Sequence, residues 1–403
     1  MLSVLVALMH WYIWKRLVKD TLRPGRARRV LTVVTVLLAV LVAGTLILPR
    51  TVGLTGAGFY AWPGYIWFGL LVYLFLILAV LELPRLALRG WVRRTPLEAT
   101  ATAPTPPAEP AEAVPDEPVA PAAAKPDLSR RLFLARGAGL VAGAASVSLV
   151  GVGMANALGP PDLLRVPVRL PNLDPAFNGF RIAVVSDIHL GPLTGRAHTE
   201  RLVRMINETS PDMVAIVGDL ADGTVDALGP AAEPLRDLAS REGTFFVTGN
   251  HEYFEEPFEW LRELEGLGLN LLRNENTVIR RDGAAFDLAG VNDLSGRMAD
   301  DGPDFDRALA GRDPSRPTVL LAHQPVQVSE AAKHGVALQL SGHTHGGQLW
   351  PFHYIVGLQQ GAVAGLSTVD GTQLYVTRGA GFWGPPIRVG APPDITVLSL
   401  EAR

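Results

Sequence analysis

The chain contains no cysteine among its 403 residues. Disulfides, zinc–thiolate sites and cysteine nucleophiles are therefore excluded, and any metal must be held by His, Asp, Glu or Asn. Charge is scarce as well: Asp, Glu, Lys and Arg make up 19%, and the formal net charge is −3. That near-neutral balance gives no support to nucleic-acid binding. Histidine is sparse at nine copies, yet His343 and His345 stand two apart in the run LQLSGHTHGGQLW (338–350). A turn needs the glycines of that run, but it has no need of two imidazoles.

Long apolar runs are plentiful. The mean hydropathy of +0.22 is high for a water-soluble enzyme and directs attention to the first 160 residues. Val30–Leu48 and Trp62–Leu83 each approach the ~20 residues that cross a bilayer, and Trp62, Tyr65 and Trp67 resemble an interfacial aromatic belt. Leu2–Trp14 is a shorter run and Gly137–Leu158 a Gly/Ala-rich one, giving about three spans in 1–94 and a fourth in 129–159. Lys15, Arg16, Lys19 and Arg23 crowd the first connection, Arg50 stands alone in the second, and Arg85, Arg89, Arg93 and Arg94 follow the third run. Under the positive-inside rule the first and third connections are cytoplasmic. The domain after residue 160 is then extracytoplasmic, on a multi-pass protein of the plasma (inner) membrane.

Residues 95–128 are Pro/Ala/Glu-rich with almost no large apolar side chain, the composition of an extended linker with no core. The run SRRLFLARGAG (129–139) resembles a twin-arginine export signal, with ANA (155–157) as an A-x-A-like site; the other reading is a basic flank of a span. Both readings place the last domain outside the cytoplasm.

Residues 160–403 read as globular. Runs such as FRIAVVSD (180–187), DMVAIVGD (212–219), TFFVTGN (244–250), TVLLAH (318–323) and VALQLSGH (336–343) predict strands. The helical periods of RAHTERLVRMINETS and PFEWLRELEGLG fall between or after them, so a layered α/β domain with mixed sheets is expected. Five runs end in ligand-type residues: Asp187 and His189, Asp219, Asn250 and His251, His323, and His343 with His345. Ligands collect at the carboxyl ends of strands in α/β folds, so one rim of one sheet is expected to gather them. The spacing Asp187-x-His189 is expected to put both side chains on one pleat face. Carboxylates with imidazoles suit two divalent cations about 3.5–4 Å apart, which clamp a phosphoryl group and generate hydroxide at neutral pH. Each fragment alone is weak, whereas the ordered set at strand ends is specific.

That ordered set, SDIH, GDLADG, GNHE, AHQP and SGHTHGGQ, resembles the calcineurin-like metallophosphoesterase superfamily over about 165–403. The GHTHGGQ block, the tail RGAGFWGPPIRVGAPPDITVLSL and the N-terminal region are similar to its bacterial membrane-associated branch. The resemblance implies a four-layer αββα sandwich and a dinuclear site. Asp187, His189 and His345 would hold one metal (Mn, Fe or Zn), and Asn250, His323 and His343 the other. Asp219 would bridge the two, and His251 would stand beside the phosphate to protonate the leaving oxygen. Asp222 is read either as a support to the ligands or as a plain turn acid.

His10 falls in the first apolar run, His198 and His334 are expected on surface elements and His353 follows the WPF turn, and none is read as having a site role. Arg378 and Arg388 are expected in structural or surface pairing, with contact to an anionic substrate as the other reading, and Trp350, Phe352, Phe382 and Trp383 in core packing, with a pocket wall or lipid contact as the other reading. The function expected is hydrolysis of phosphate mono- or diesters, with a lipid or envelope phosphoester as the substrate class and no nucleic-acid partner. A UDP-2,3-diacylglucosamine-type pyrophosphatase would need the cytoplasmic face, against the charge pattern. A non-catalytic metal-stabilised sensor would not need the complete ligand set with His251. Few charged residues lie inside the apolar runs, which argues against a transporter.

Overall fold

The computed structural model describes residues 2–54, 56–88 and 130–402. The expected linker at 95–128 lies outside the described residues, as do Arg89, Arg93, Arg94 and Ser129. The helices before the globular part are α1 (Leu2–Ile13), continued by a π-helical stretch over Trp14–Lys19, α2 (Arg26–Val52), α3 (Gly58–Ala87) and α4 (Arg130–Leu158). Among the described residues three helices are long and apolar enough to cross a membrane: Arg26–Pro49, Gly58–Ala87 and Arg131–Leu158. Leu2–Ile13 has only 12 residues, about 18 Å of helix.

Chain contacts define two units, Met1–Leu37 with Leu71–Ser146 and Leu38–Leu70 with Val147–Arg403. In the first, Glu82 of α3 accepts from Tyr12 at 3.1 Å and pairs with Arg16 at 2.8 Å, while Arg16 also holds Asp20 at 2.9 Å. An acid close to a span end is thereby neutralised locally.

The second unit carries two six-stranded sheets. The first contains β1 (Asp162–Leu170), β2 (Phe180–Val185), β3 (Met213–Val217), β4 (Thr244–Val247), β5 (Asn270–Leu271) and β12 (Asp394–Ala402), in the order β1-β12-β2-β3-β4-β5. The other contains β6 (Glu275–Arg281), β7 (Ala284–Gly290), β8 (Thr318–Leu321), β9 (Leu338–Ser341), β10 (Gly365–Val369) and β11 (Thr372–Val376), in the order β10-β11-β9-β8-β7-β6. Both are mixed: β2, β3, β4 and β5 pair in parallel, while β12 meets β2 antiparallel and β1 parallel.

Alternation along β2 shows why the layers form. Ile182 and Val184 join Phe286, Leu288, Val319 and Leu340 in a core between the sheets. Ala183 and Val185, pointing the other way, pack under helices α5 (Arg196–Glu208), α6 (Val225–Ala232) and α8 (Pro257–Gly266). With both faces covered, β3 reads as the unbroken apolar run MVAIV and is buried throughout. Helices α9 (Phe305–Ala308) and α10 (Val328–Lys333) cover the outer face of the second sheet through Ala289, Leu320, Leu374 and Val376. The result is four layers, helix–sheet–sheet–helix. Two short helices, α7 (Asn250–Phe254) and α11 (His353–Gln360), follow β4 and β9.

The loops after β2, β3 and β4 belong to one sheet and those after β8 and β9 to the other, so the expected gathering on a single sheet is corrected. It takes place across the joint rim of both. The hydrophobic core between the sheets brings those rims together.

Candidate metal centre

The chain turns sharply on reaching this rim. Asp187, His189, Asp219, His343 and His345 all adopt left-handed φ, from 48° to 69°. Asp187 and His189 lie beyond the last residue of β2, so they aim inward by backbone turns and not by sharing a pleat face. A non-glycine residue held in this region costs of order 1–3 kcal/mol and persists only where its surroundings fix it.

The surroundings do so with hydrogen bonds. The Asp187 carboxylate accepts the His343 N–H at 3.0 and 3.2 Å. Buried Glu252 accepts from the backbone N–H groups of Gly249 (2.6 Å), Leu220 (2.7 Å) and Asp219 (3.1 Å), tying the loops after β3 and β4 together. Those loops approach so closely that a Cβ on Gly218, at φ +88°, would lie 2.6 Å from Gly249 N and 2.7 Å from His323 Nδ1. A side chain on Gly249 would collide with Asp219. Glycine is required at both positions.

Two ligand-type groups result: Asp187 with His189 and His345, and Asp219 with His323 and His343. His189 Nε2 stands 3.0 Å from His345 Nε2 and 3.8 Å from Asp219 Oδ2. On its other side, Asp219 Oδ2 is 3.1 Å from His323 Nε2. Asp219 therefore stands between the groups, its Oδ1 accepting the His251 N–H at 2.8 Å. His323 gives Nδ1 to the Val217 carbonyl at 2.7 Å, leaving Nε2 toward the cluster. His345 Nε2 lies 3.3 Å from Asp187 Oδ1.

These donors fit divalent cations. Asn250 Oδ1 is buried without a hydrogen-bond partner, and His323 Nε2 is buried with only the Asp219 carboxylate, 3.1 Å away, beside it. Two imidazole Nε2 atoms at 3.0 Å cannot both keep a lone pair facing the other unless a proton or a cation lies between them. Orphaned buried acceptors of this kind are costly, and a cation satisfies them.

The electrostatics agree. Burial would raise the Asp219 carboxyl, but the neighbouring His323, His251 and His189 outweigh it and hold it well below its usual range. Burial would lower His323, and the charge of Asp219 instead raises it well above normal. High proton affinity at that nitrogen has the same cause as cation affinity, which is converging negative charge. Burial, then Arg388, keeps His345 well below its ordinary value, and burial, then His323, lowers His343.

Asp222 resolves as a support. Its Oδ1 accepts from Nδ1 of His189 at 3.0 Å and lies 2.6 Å from Nδ1 of His251. These three also form a ligand-type group, but Asp222 faces the Nδ1 atoms and leaves His189 Nε2 to the main cluster. His251 sits at the mouth, with its ring 4.6 Å from that of His189 and 5.9 Å from that of Trp383. Burial disfavours its charged form, yet the Asp222 hydrogen bond and the charges of Asp219, Asp222 and Glu252 raise the imidazole to about 9.

Arg388 is fully buried. Its guanidinium donates to the carbonyls of His345 (2.6 Å), Arg378 (2.9 Å) and Gly381 (3.0 Å) and lies 3.1 Å from His345 Nδ1. Arg378 pairs with Asp394 at 2.8 Å. Phe382 is buried as expected, whereas Trp350, Phe352 and Trp383 are exposed, against the core packing expected for them. His198 is half-buried, with Nε2 lacking a partner, so the surface position expected for it is corrected; burial, then Arg201, lowers it to about 4. Glu252 and Gln348 had no expected role, although both lie inside the quoted blocks. Gln348 clasps the loop after β11, accepting Trp383 N–H at 3.1 Å and donating to Trp383 O at 2.8 Å.

Paired sheets with histidine and aspartate groups at their joint rim define the class, the metallophosphoesterases. The family model for calcineurin-like phosphoesterases matches residues 180–347. The chain is 41% identical over 264 residues to a transmembrane protein with metallophosphoesterase domain from Bos taurus, covering 62% of this chain and 60% of that one. It is 40% identical over 265 residues to an uncharacterized metallophosphoesterase of Campylobacter jejuni, covering 64% and 68%. It is 30% identical over 285 residues to the uncharacterized metallophosphoesterase YkuE of Bacillus subtilis, covering 68% and 98%. The chain belongs to the calcineurin-like phosphoesterase family. It spans about three fifths of the length of the bovine relative.

Proposed function

We propose that the protein is a membrane-anchored, metal-dependent hydrolase of phosphate mono- or diesters, with 160–403 as its catalytic part. The observation that carries this reading is the pair of ligand-type groups set on either side of one buried carboxylate, Asp219. Asp187, His189 and His345 would hold one divalent cation and Asn250, His323 and His343 the second, with Asp219 shared. Manganese, iron and zinc all suit this donor set. When bound, such a pair supplies Lewis acidity toward phosphoryl oxygens and lowers the pKa of water.

The chain's own groups do the rest. Glu252 and Arg388 hold the ligand loops at fixed spacing, so little reorganisation is needed as charge develops. Asp222 orients His189 and keeps His251 protonated. His251, at the mouth, is placed to donate its proton to the departing oxygen. No serine or cysteine nucleophile is required.

The GHTHGGQ block at 342–348 and the helices before the domain support membership of the bacterial membrane-associated branch. Under the basic-residue pattern, the catalytic part faces outward from the plasma membrane, and the twin-arginine-like run is compatible with the same placement. A periplasm-dependent reporter fused after Arg403 is expected to be active; activity only of a cytoplasm-dependent reporter would reverse the orientation.

Asp219→Ala and His343→Ala in the full chain should each lower metal-dependent hydrolysis of para-nitrophenyl phosphate by at least about a hundredfold, on the scale of lost charge stabilisation. Undiminished turnover in both variants contradicts the assignment. The pH dependence follows from His251. Burial disfavours the imidazolium, but the Asp222 hydrogen bond and the surrounding carboxylates raise its folded pKa, so the charged form persists at neutral pH and is lost as pH rises through the raised value. Wild-type kcat on an ester with a poor leaving group should fall along that limb. His251→Gln should be slower by ~10²–10⁴-fold and lack the limb. A retained limb at an undiminished rate would remove His251 from the reaction.

A further inference from the structure

The apolar side chains at the mouth of the cluster have no part in the chemistry above. Helix α11 is built inside out. Leu358 (89% exposed) lies three and four residues after Ile355 (61%) and Tyr354 (67%), which places all three on its open side. Gln360 is buried instead, its amide oxygen accepting the Val326 N–H and its amide nitrogen donating to Gln324, both at 3.3 Å. A water-facing helix places these residues the other way round. Trp350 and Trp383, each about half exposed, extend the apolar surface toward His251.

What covers this surface follows from its connections. The Trp350 N–H donates to the Val389 carbonyl at 2.9 Å, and the Val389 N–H to the Gln348 carbonyl at 2.8 Å. That same loop is seated on the apolar helices. The Arg388 N–H donates to the Gly153 carbonyl of α4 at 2.8 Å, and Asn156 Nδ2 donates to the Arg388 carbonyl at 3.1 Å. Ile387 lies over Gly69 of α3 and Gly153, where a side chain on either would collide with it. Gly153 stands five residues before the end of α4 at Leu158, roughly 7 Å inside the helix end. The patch is thus joined through Trp350 and Val389 to a loop seated on segments long and apolar enough to span a bilayer, and Trp and Tyr are the residues that collect at bilayer interfaces. Exposed apolar faces of this kind mark an interaction surface.

We propose that α11 and the flanking tryptophans lie in the headgroup layer of the bilayer and hold the mouth of the cluster against it, so that the phosphoesters it takes are carried on lipids. The docking half stands on the contacts just described. The substrate half rests on the hydrolase reading.

The chain has no cysteine, so Leu358→Cys in the full-length protein is a single labelling site. Arg169→Cys, near the far end of β1 and 75% exposed at its side chain, is the comparison. With a bimane label in nanodiscs of phosphatidylethanolamine and phosphatidylglycerol, nitroxide lipid should quench position 358 severalfold and leave position 169 bright, while a water-soluble nitroxide should do the reverse. Quenching of 358 by the soluble nitroxide alone means a bare surface. Quenching by neither means a protein cover, such as a second copy. Either result overturns the docking.

In the same nanodiscs doped with phosphatidic acid, release of water-soluble phosphate should fall about tenfold in Leu358→Glu, with para-nitrophenyl phosphate turnover kept. A wild-type protein that cleaves the nitrophenyl ester but releases nothing from the lipids overturns the substrate half. One that cleaves neither contradicts the hydrolase reading, and the quenching result still decides the docking.

Discussion

The structure turns on the carboxylate of Asp219. It is buried at the end of β3, with one oxygen on the His251 N–H and the other between His189 and His323. Asp187 and Glu252 are buried close by, and Asp222 lies at the edge. The counter-charge from the chain itself comes from imidazoles and from Arg388, whose guanidinium is turned to carbonyls. Buried carboxylates without enough positive charge are expensive, and cations offset that cost. Cation binding here would therefore contribute to folding as well as to chemistry.

This arrangement exists because two hydrophobic sheets meet rim to rim. The core between them fixes where five loops end. Within those loops the backbone is driven into left-handed conformations at Asp187, His189, Asp219, His343 and His345. Aspartate and histidine enter that state more readily than most residues, but local preference alone does not set five of them in it at one rim. It is held by Glu252 on three backbone N–H groups, by Arg388 on carbonyls, and by Gln348 on the Trp383 loop. Strain at the centre and hydrogen bonding around it are two sides of one construction.

Much of this was legible in the residues, for physical reasons. Buried strands such as IAVV, MVAIV and TFFV are apolar runs bounded by glycine and polar residues, and each carries ligand-type residues just past its end. Edge strands were not legible. β1, β6 and β10 are half-exposed, polar or interrupted by proline, and only pairing with β12, β7 and β11 makes them strands. The ligand-type residues stood out because imidazoles and carboxylates at strand ends are chemically conspicuous. Glu252 and Gln348 did not, since their partners are mostly backbone groups far away in sequence, which no side-chain pattern announces. Asp222 became readable only when the fold placed two histidine Nδ1 atoms against it. The exposure of Trp350 and Trp383 belongs to the same category, because an aromatic residue in a loop is equally compatible with core and surface until the loop is placed.

On the proposed reading, converging imidazoles and carboxylates would cage a pair of cations about Asp219. Elemental analysis by plasma mass spectrometry of the purified full-length protein, after dialysis against manganese, iron or zinc, tests it most directly. Two tightly held transition ions per chain are expected, with exhaustive chelation lowering the unfolding temperature of the domain. No bound ion at any supply, together with unchanged melting after chelation, would contradict that reading.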